Sequence, residues 1–546
     1  MPTEPIDSRL QSKFALEGRV VTMDAADSVL DEGIVYIESD RIVALAPAGA
    51  PVPEGFEEVA PVRTGGTIYP GLIDLHNHLS YNALTPLNVP ERFTNRGQWS
   101  RKPFYQKLIT RPMKVLGRLP GYVEAIVRYV ECKCLLGGVT TSQGIALFSN
   151  QGIVRYYRGI VRNVEETDDP ALPEAATRIA DVDAESADRF LARLQRSSCL
   201  LLHLSEGTDD RARQHFQALQ LTDGSWAITD ALAGIHCVAL KEADFATMAD
   251  PDHRGAMIWS PLSNLLLYGQ TANIKAAKES GIRMGIGSDW SPSGSKNLLG
   301  ELKVAHLVSA QHGGVFSDRE LLAMATRNAA NILKWDEVGS IESGKRADLL
   351  VIAGRRGDPY SHIIRARETE IILVVINGVP RYGRTRLMDD LGLDGEGWRV
   401  GHARRRLHLG DPTADPAVGG LTLGDARDRL QDGLNRLPEL ERQLDELMPS
   451  DVLGPRGEVE PHWFLLLDHD EPAGISLRHH LPFGPGGQPT APREPLDPLA
   501  LTMLAEPLEP QPLDALTVAD DDLFFDRQQA QVNLPLYVKE GLPQLY

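Results

Sequence analysis

The sequence predicts an α/β fold: a (β/α)8 TIM barrel, a small β-sandwich domain formed by both flanks of the barrel, and a C-terminal extension. Between about residues 67 and 335, short apolar runs alternate with helical stretches, which is typical of βα units in a parallel sheet. This region of roughly 265 residues has the size of an eight-fold barrel. β-rich segments lie on either side of it. A doubly wound open sheet is the alternative that the pattern leaves open.

Both flanks contain short, Val- and Ile-rich runs bounded by turn residues. The predicted strands are Ala15–Met23, Gly33–Glu38, Arg41–Leu45, Ala347–Ile352 and Ile371–Ile376. Tight connections are expected at Ser39-Asp40 and Asn377-Gly378. We therefore expect residues 1–66 and 336–385 to form one composite β-sandwich domain.

The region between the flanks, residues 67–335, supplies the barrel. Its clearest strands and helices are Thr67–Leu75, Ser198–Leu204, Ala233–Leu240, Met257–Trp259 and Arg283–Ile286 as strands, with Tyr122–Leu136 and Asp318–Leu333 as helices.

Residues 386–546 form an acidic, Pro-rich extension to which the sequence assigns no role. A stripe of leucines spaced by three and four residues predicts an amphipathic helix or helix pair, with Pro438 in the first turn of the second piece: Leu430, Leu434, Leu437, Leu440, Leu444 and Leu447. From Asp411 to Tyr546 there are 25 acidic and 9 basic residues, so most of the net charge of -19 lies here. Solubility explains this acidity, and such a surface disfavours binding to nucleic acid.

Cysteine content and hydropathy favour a cytoplasmic enzyme. The four cysteines, Cys132, Cys134, Cys199 and Cys237, are too sparse for a disulfide scaffold, so reduced structural thiols are expected. The N-terminal residues contain no apolar stretch of secretory length, and no segment approaches the roughly 18 apolar residues of a membrane span.

Five potential metal ligands lie at the ends of four apolar strands. His76 and His78 end the run that begins at Pro70, and their i, i+2 spacing points both imidazoles to one face of an extended chain. His203, His236 and Asp289 each end or follow another apolar run. Because functional residues gather at the carboxyl ends of barrel strands, the pattern predicts a metal centre.

These residues resemble those of the amidohydrolase superfamily, and within it the deaminase and chlorohydrolase branch that includes cytosine-, guanine- and triazine-acting enzymes. The resemblance covers about residues 16–382 and rests on Pro70–His78, His203–Glu206, Ile235–Cys237, Ser260–Asn264, Gly285–Asp289, Ala325–Ala330 and Gly339–Asp348. The continuation Asp289-Trp290-Ser291 departs from the Asp-Gly-Ala type of the deaminases, which puts guanine in doubt as the substrate.

The resemblance implies one divalent metal, zinc rather than iron, held by His76, His78, His203 and Asp289. Binuclear members bridge two metals through a modified lysine, but here no lysine lies between Lys133 and Lys241. A single metal is therefore expected. Glu166 or a cysteine stays open as an alternative bridge.

The resemblance also implies catalytic roles. Asp289 would take a proton from the water that the metal activates, His236 would hydrogen-bond the hydroxide or the developing oxyanion, and Glu206 would act as the proton shuttle. Substrate contacts are expected from Ser260, Asn264 and Trp290, with the long connection from Leu79 to Arg118 as a lid or pocket wall.

We therefore predict an enzyme that hydrolyses a non-peptide carbon–nitrogen bond of a small-molecule substrate, most concretely by deaminating a nitrogen heterocycle. Amide or cyclic imide hydrolysis at the same site is the closest alternative. A catalytically inactive scaffold is a distant one, because inactive relatives tend to lose ligands and every expected ligand stands here. No nucleic acid or membrane partner is expected, and homo-oligomerisation stays open.

Overall fold

The computed structural model describes residues 12–100, 102–178, 187–446, 462–468 and 507–546. In chain order the strands are β1 (Lys13–Val21), β2 (Val29–Glu38), β3 (Arg41–Pro47), β4 (Val62–Pro70), β5 (Leu72–Asp74), β6 (Val139–Ser142), β7 (Ala146–Ser149), β8 (Val154–Tyr156), β9 (Arg162–Asn163), β10 (Ala175–Arg178), β11 (Cys199–Leu204), β12 (Leu232–His236), β13 (Ala256–Trp259), β14 (Arg283–Ile286), β15 (Leu349–Ala353), β16 (Ile371–Ile376), β17 (Val379–Arg384), β18 (Glu396–Val400), β19 (Ala403–Leu407) and β20 (Trp463–Leu465).

The helices, in the same order, are α1 (Arg96–Trp99), α2 (Pro103–Tyr105), α3 (Arg111–Arg118), α4 (Tyr122–Leu136), α5 (Ala187–Leu194), α6 (Asp210–Gln217), α7 (Glu242–Ala249), α8 (Pro261–Tyr268), α9 (Ile274–Ser280), α10 (Leu298–Gln311), α11 (Asp318–Met324), α12 (Arg327–Leu333), α13 (Pro359–Ile364), α14 (Thr385–Asp390), α15 (Pro416–Gly419), α16 (Leu423–Asn435), α17 (Leu437–Glu446), α18 (Phe524–Ala530) and α19 (Leu536–Gly541). Within the described ranges, none of these helices has the length and apolar character needed to span a bilayer.

Strands from both flanks form one nine-stranded sheet, ordered β18-β19-β17-β16-β15-β4-β1-β2-β3. The N-terminal and downstream flanks meet where β4 pairs antiparallel with β15, with Tyr69 opposite Leu350. Asn377 and Gly378 both have positive φ, as a tight hairpin turn between β16 and β17 requires. The sheet continues to Leu407, beyond the boundary expected at residue 385.

The strand predicted at Thr67–Leu75 is two strands in two different sheets. β4 ends at Pro70 in the nine-stranded sheet, and β5 begins at Leu72 in a parallel sheet. A Cβ on the intervening Gly71 would lie 2.3 Å from Oγ1 of Thr140, so only glycine fits this close approach. The chain therefore changes sheets at Pro70-Gly71, which an unbroken apolar run does not reveal.

The helix predicted at Asp318–Leu333 is likewise divided, into α11 and α12. It begins as expected, with a capping box in which Ser317 and Glu320 exchange hydrogen bonds. The carbonyl of Ala325 accepts a hydrogen bond from the Ile73 amide of β5 at 2.8 Å, which draws this residue out of the helix. A contact distant in sequence thus breaks the local helical pattern.

Two parallel sheets carry the functional residues: β5-β6-β9 and β10-β11-β12-β13-β14. Hydrogen bonds join them at both junctions. The Ala175 amide donates to the carbonyl of Val164 at 2.8 Å, and the Leu75 amide donates to the carbonyl of Ile286 at 3.3 Å. Because the strands are parallel, their carboxyl ends lie along one edge.

The C-terminal extension packs on these elements. The predicted helix pair is present as α16 and α17, although Leu447 lies outside the described residues. Further along, the fully buried Asp514 carboxylate contacts the buried ammonium groups of Lys133 and Lys296, the latter at 2.7 Å. Burial lowers the pKa of Lys133 to about 8, although the Asp514 charge opposes this shift. Burial raises the Asp514 pKa, but the two lysine charges outweigh burial and hold it low.

Asp514→Asn should destabilise the protein strongly, because the substitution leaves two buried lysines without this counter-charge. Breaking a buried ion pair by removing one partner costs about 3–5 kcal/mol. The matched control is Glu509→Gln, which removes the exposed partner of Lys107 in the same segment and should cost at most about 1 kcal/mol. Urea denaturation measures both. An equal decrease in the free energy of unfolding in the two variants would contradict the role given to Asp514.

Candidate metal centre and active site

The potential ligands stand at the carboxyl ends of four parallel strands. His76 and His78 follow β5, His203 lies near the end of β11, His236 ends β12 and Asp289 follows β14. The Asp289 amide donates to the carbonyl of His76 at 2.8 Å, and the His78 amide donates to the carbonyl of Asp289 at 2.7 Å. These bonds hold the first and last of the four strands in register.

Left-handed backbone turns direct two of these side chains. His236 has φ of 68° and Asp289 has φ of 64°. For residues other than glycine this conformation costs on the order of 1–3 kcal/mol, and such strain concentrates at functional sites. The turn at His236 and Cys237 also ends β12 there, four residues short of the strand end predicted at Leu240.

The five side chains converge into one buried group, the ligand cluster: His76, His78, His203, His236 and Asp289. Oδ1 of Asp289 lies 3.2 Å from Nε2 of His76 and 3.5 Å from Nε2 of His78. The ring centroids of His76 and His203 are 4.7 Å apart. Among the residues with described positions, two overlapping sets of three can hold a metal ion: His76, His203 and His236, and His76, His78 and Asp289.

The chemistry of the ligand cluster fits a divalent ion. Nε2 of His76 and Nδ1 of His203 are buried and have no hydrogen-bond partner in the described part of the chain. An unsatisfied buried polar atom costs about 1–3 kcal/mol, a cost that coordination would remove. Burial raises the pKa of Asp289, but the electrostatic effect of the surrounding histidines, His76 first, outweighs burial and holds the carboxyl ionised. Neutral imidazoles with one carboxylate are a typical zinc ligand set.

Amide oxygens fix two of the imidazoles. Nδ1 of His76 lies 3.0 Å from Oε1 of Gln143, and Nδ1 of His236 lies 2.9 Å from Oδ1 of Asn264. Because an amide oxygen only accepts, each Nδ1 carries the proton and each neutral ring presents an Nε2 lone pair. The tautomers therefore suit ligation, or acceptance of a hydrogen bond.

His78 has a different partner. Its Nδ1 lies 2.8 Å from Oδ2 of Asp468, a residue of the C-terminal extension. The backbone amide of Asp468 in turn donates to the hydroxyl of Tyr81 at 3.2 Å. The extension thus reaches the ligand cluster directly.

Glu206 is buried beside the ligand cluster on the loop after β11. Its Oε1 accepts a hydrogen bond from the Tyr268 hydroxyl at 2.7 Å, and Trp99 Nε1 donates to that hydroxyl at 3.1 Å. Its Oε2 lies 3.8 Å from Nε2 of His236 and 4.0 Å from Nε of Arg96. One carboxylate oxygen is therefore held by tyrosine, while the other faces the histidine.

A cavity of about 160 Å³ opens onto the ligand cluster and Glu206. Its remaining walls are largely aromatic, with the Trp290 ring 6.1 Å from Trp99 and 6.0 Å from Tyr105. The residues that line it are His78, Arg96, Trp99, Ser100, Tyr105, His203, Glu206, His236, Asp289, Trp290 and Asp468.

Of the three residues expected to contact substrate, one lines the cavity and two are buried behind it. Trp290 lines the cavity, but Ser260 and Asn264 do not. Both are fully buried, Ser260 as the N-cap residue of α8 and Asn264 in its first turn. The side-chain amide of Asn264 is occupied by His236 and by the hydroxyl of Thr271. Asn264 therefore orients His236 and does not itself line the cavity.

Neither Glu166 nor a cysteine, the alternative bridges, belongs to a group of described residues that could hold a metal ion. Lys133 is buried in α4 and contacts Asp514, and Glu166 accepts a hydrogen bond from the Tyr156 amide at 2.7 Å. The four cysteines are buried free thiols.

Sequence reasoning missed Gln143, Tyr268 and Asp468. Gln143 directly follows β6, but this strand reads Val-Thr-Thr-Ser, so a search for polar residues at the ends of apolar runs does not find it. Asp468 follows the apolar run Trp463–Leu467, but nothing in the sequence joins that run to the ligand cluster.

Residues 203–381 match the model of the amidohydrolase family. The chain is 23% identical over 393 residues to a 5-methylthioadenosine/S-adenosylhomocysteine deaminase of Moorella thermoacetica. The aligned region covers 64% of this chain and 90% of that protein.

Solved structures share the fold. An adenosine deaminase from Xanthomonas campestris with bound zinc is 20% identical and has a TM-score of 0.54, covering 79% of this chain and all of that one. The atrazine chlorohydrolase of Arthrobacter aurescens TC1, complexed with zinc, is 22% identical and has a TM-score of 0.52, covering 67% of this chain and 94% of that one. Together with the ligand cluster, these matches show that this chain is similar to proteins of the amidohydrolase superfamily, with the family match lying in residues 203–381.

Proposed function

We propose that this protein is a metal-dependent hydrolase that removes an amino group from a nitrogen heterocycle. The observation that carries the proposal is the opening of one small cavity onto both the ligand cluster and the Glu206 carboxylate. A ring bound there meets a site for water activation and a proton donor together. Relatives that are named as deaminases of adenosine and of 5-methylthioadenosine support this reaction class.

We further propose that the two parallel sheets form a closed (β/α)8 barrel. The hydrogen bonds at both junctions support closure, since they join β9 to β10 and β14 to β5 among the described strands. The proposed domains are the composite β-sandwich of residues 1–66 and 336–385, the barrel of residues 67–335 and the extension of residues 386–546. The sheet strands β18 and β19 favour moving the sandwich boundary to about residue 407.

His76, His78, His203 and Asp289 are the proposed ligands of one divalent ion, zinc rather than iron. The zinc bound by two structural relatives supports this identity. When bound, such an ion lowers the pKa of water from 15.7 toward about 7 and so supplies a nucleophile at neutral pH. The cytoplasmic location and any homo-oligomerisation expected from the sequence stay predictions.

Asp289 and His236 take complementary roles toward the attacking water. Asp289, held ionised, accepts a proton from the attacking water. Nε2 of His236 accepts a hydrogen bond from the same water, because Asn264 already holds the single ring proton on Nδ1. Donation from His236 to an oxyanion would need a second proton, which burial of the ring disfavours because it lowers the pKa.

Glu206 supplies the proton that the ring requires. Protonating the ring nitrogen beside the amino-bearing carbon lets the water oxygen bond to that carbon. The amino group then takes the proton held by Asp289 and leaves as ammonia. The hydroxyl proton of the intermediate returns to the Glu206 carboxylate, and the carbon–oxygen bond becomes a carbonyl. Oε2 of Glu206 is the donor atom, because Tyr268 occupies Oε1.

Glu206→Gln should lower the rate of ammonia release by about 10²–10⁴-fold, the usual loss on removing a general acid. The assay panel comprises amino-substituted pyrimidines, purines, pterins and triazines, with wild type and variant compared at equal zinc content. Glu91→Gln, an exposed carboxylate in the same connection as Trp99, is the control and should be fully active.

No ammonia release by zinc-loaded wild type on any compound would contradict deamination. Activity on amides or cyclic imides instead would favour the alternative carbon–nitrogen hydrolase at the same site.

His203→Ala should bind much less zinc than wild type, which should hold about one equivalent, because the substitution removes one of the four proposed protein ligands. His253→Ala removes a histidine that bonds only to the Thr247 carbonyl among its described contacts, and it should keep the wild-type content. Metal analysis after dialysis measures both. Two equivalents in wild type would overturn the single-metal proposal.

The cavity size predicts a small substrate. Its volume of about 160 Å³ is below the roughly 300–1,000 Å³ of pockets for drug-sized ligands. We therefore expect kcat/KM for single-ring amino heterocycles to exceed that for S-adenosylhomocysteine by at least about tenfold, the loss that follows from about 1.4 kcal/mol of misfit. Competition assays with both compounds measure the ratio, and a preference for the nucleoside would contradict it.

A further inference from the structure

A short segment of the C-terminal extension, His462–Asp468, is docked firmly beside the cavity; we call it the strap. Its strand β20 pairs antiparallel with β7, which places Phe464 opposite Phe148 with ring centroids 5.3 Å apart. The guanidinium of Arg155 lies 4.2 Å above the Trp463 ring. Phe464 and Leu465 are buried. Strand pairing and packing therefore fix the position of the end of the strap, where Asp468 lies.

Asp468 is the last described residue of the strap. Its backbone amide bonds to the Tyr81 hydroxyl, and its carboxylate meets Nδ1 of His78 at 2.8 Å. The exposed fractions of the two side chains are 28% for Asp468 and 15% for His78. A charge-assisted hydrogen bond in such a shielded place is stronger than a neutral one.

We propose that Asp468 is a positioning residue that the C-terminal extension adds to the metal centre. By accepting the Nδ1 proton of His78, it leaves the Nε2 lone pair directed at the ligand cluster, 3.5 Å from Oδ1 of Asp289. A carboxylate partner fixes the ring orientation and raises the basicity of a ligating imidazole. Amide oxygens of Gln143 and Asn264, which lie in the barrel region, do the corresponding task for His76 and His236.

The strap lies outside the part of the chain that matches the family. The family match ends at residue 381, and the Moorella deaminase is matched over 90% of its length by only 64% of this chain. Asp468 also lines the cavity. The extension therefore completes a wall of the active site as well as supporting a ligand.

Zinc affinity tests the positioning role without requiring a substrate. Loss of an outer partner of a metal-ligating histidine weakens metal binding by about 10–100-fold, so Asp468→Ala should raise the zinc Kd by that factor. Asp468→Asn keeps an acceptor but loses the charge, and should raise it by about 3–10-fold. Chelator competition on the full-length protein gives the Kd values, and thermal unfolding of the zinc-free forms is measured beside them.

The control is His462→Ala, an exposed histidine at the other end of the strap, which should leave the zinc Kd unchanged. Equal zinc affinity of wild type and Asp468→Ala would overturn the proposal. If Asp468→Ala does not fold, the isosteric Asp468→Asn decides: a Kd within twofold of wild type overturns the proposal, and a rise with unchanged thermal stability supports it.

A second measurement tests whether Asp468 forms part of the cavity wall, and it rests on the proposed deaminase activity. Removing the Asp468 side chain enlarges the cavity, so the kcat/KM ratio of an amino nucleoside to its free base should rise in Asp468→Ala. An unchanged ratio would overturn the wall assignment. If Asp468→Ala binds zinc more weakly but the zinc-loaded wild type deaminates none of the compounds, the proposed function is wrong and the positioning role still holds.

Discussion

Asp289 exchanges two backbone hydrogen bonds with the segment that carries His76 and His78, donating to one residue and accepting from the other. The same contact joins the end of β14 to the end of β5, so it stabilises the meeting of the two parallel sheets and the metal centre at once. Because Asp289 adopts a left-handed conformation there, its carboxylate turns toward Nε2 of both histidines. Strand pairing and ligand geometry therefore depend on one set of bonds.

Hydrogen-bond acceptors around the ligand cluster, some uncharged and some charged, hold the imidazole rings. Gln143 and Asn264 present amide oxygens to two rings, whereas His78 meets a carboxylate. Behind them, the buried Asp74 accepts hydrogen bonds from the Ser288 amide and the Asn77 side chain. Burial raises the pKa of Asp74 to about 6, although its bonds to Ser288 and Asn77 oppose the shift. Three of the imidazoles, those of His76, His78 and His236, thus have Nδ1 held by an acceptor and Nε2 left for the ligand cluster.

The C-terminal extension contributes two acids to the region of the parallel sheets, the fully buried Asp514 and the partly exposed Asp468. Asp514 neutralises Lys133 and Lys296 beneath the site, and Asp468 reaches His78 at its edge. Lys133 also donates to the Asn82 carbonyl and to the Ser291 hydroxyl, two residues that flank the ligand segments. Two of the acids counted in the extension therefore act inside the protein, where composition alone suggested only a soluble surface.

The sequence by itself determined the α/β class, α4 and most strands, and it identified His76, His78, His203, His236, Asp289 and Glu206 as one constellation. It could do so because alternating apolar runs and polar strand ends are local patterns. Only the tertiary structure decided the change of sheet at Gly71, the break between α11 and α12, and the contacts of Gln143, Asn264 and Asp468. Each of these depends on a partner far away in the chain, and a local pattern carries no information about which distant groups will meet.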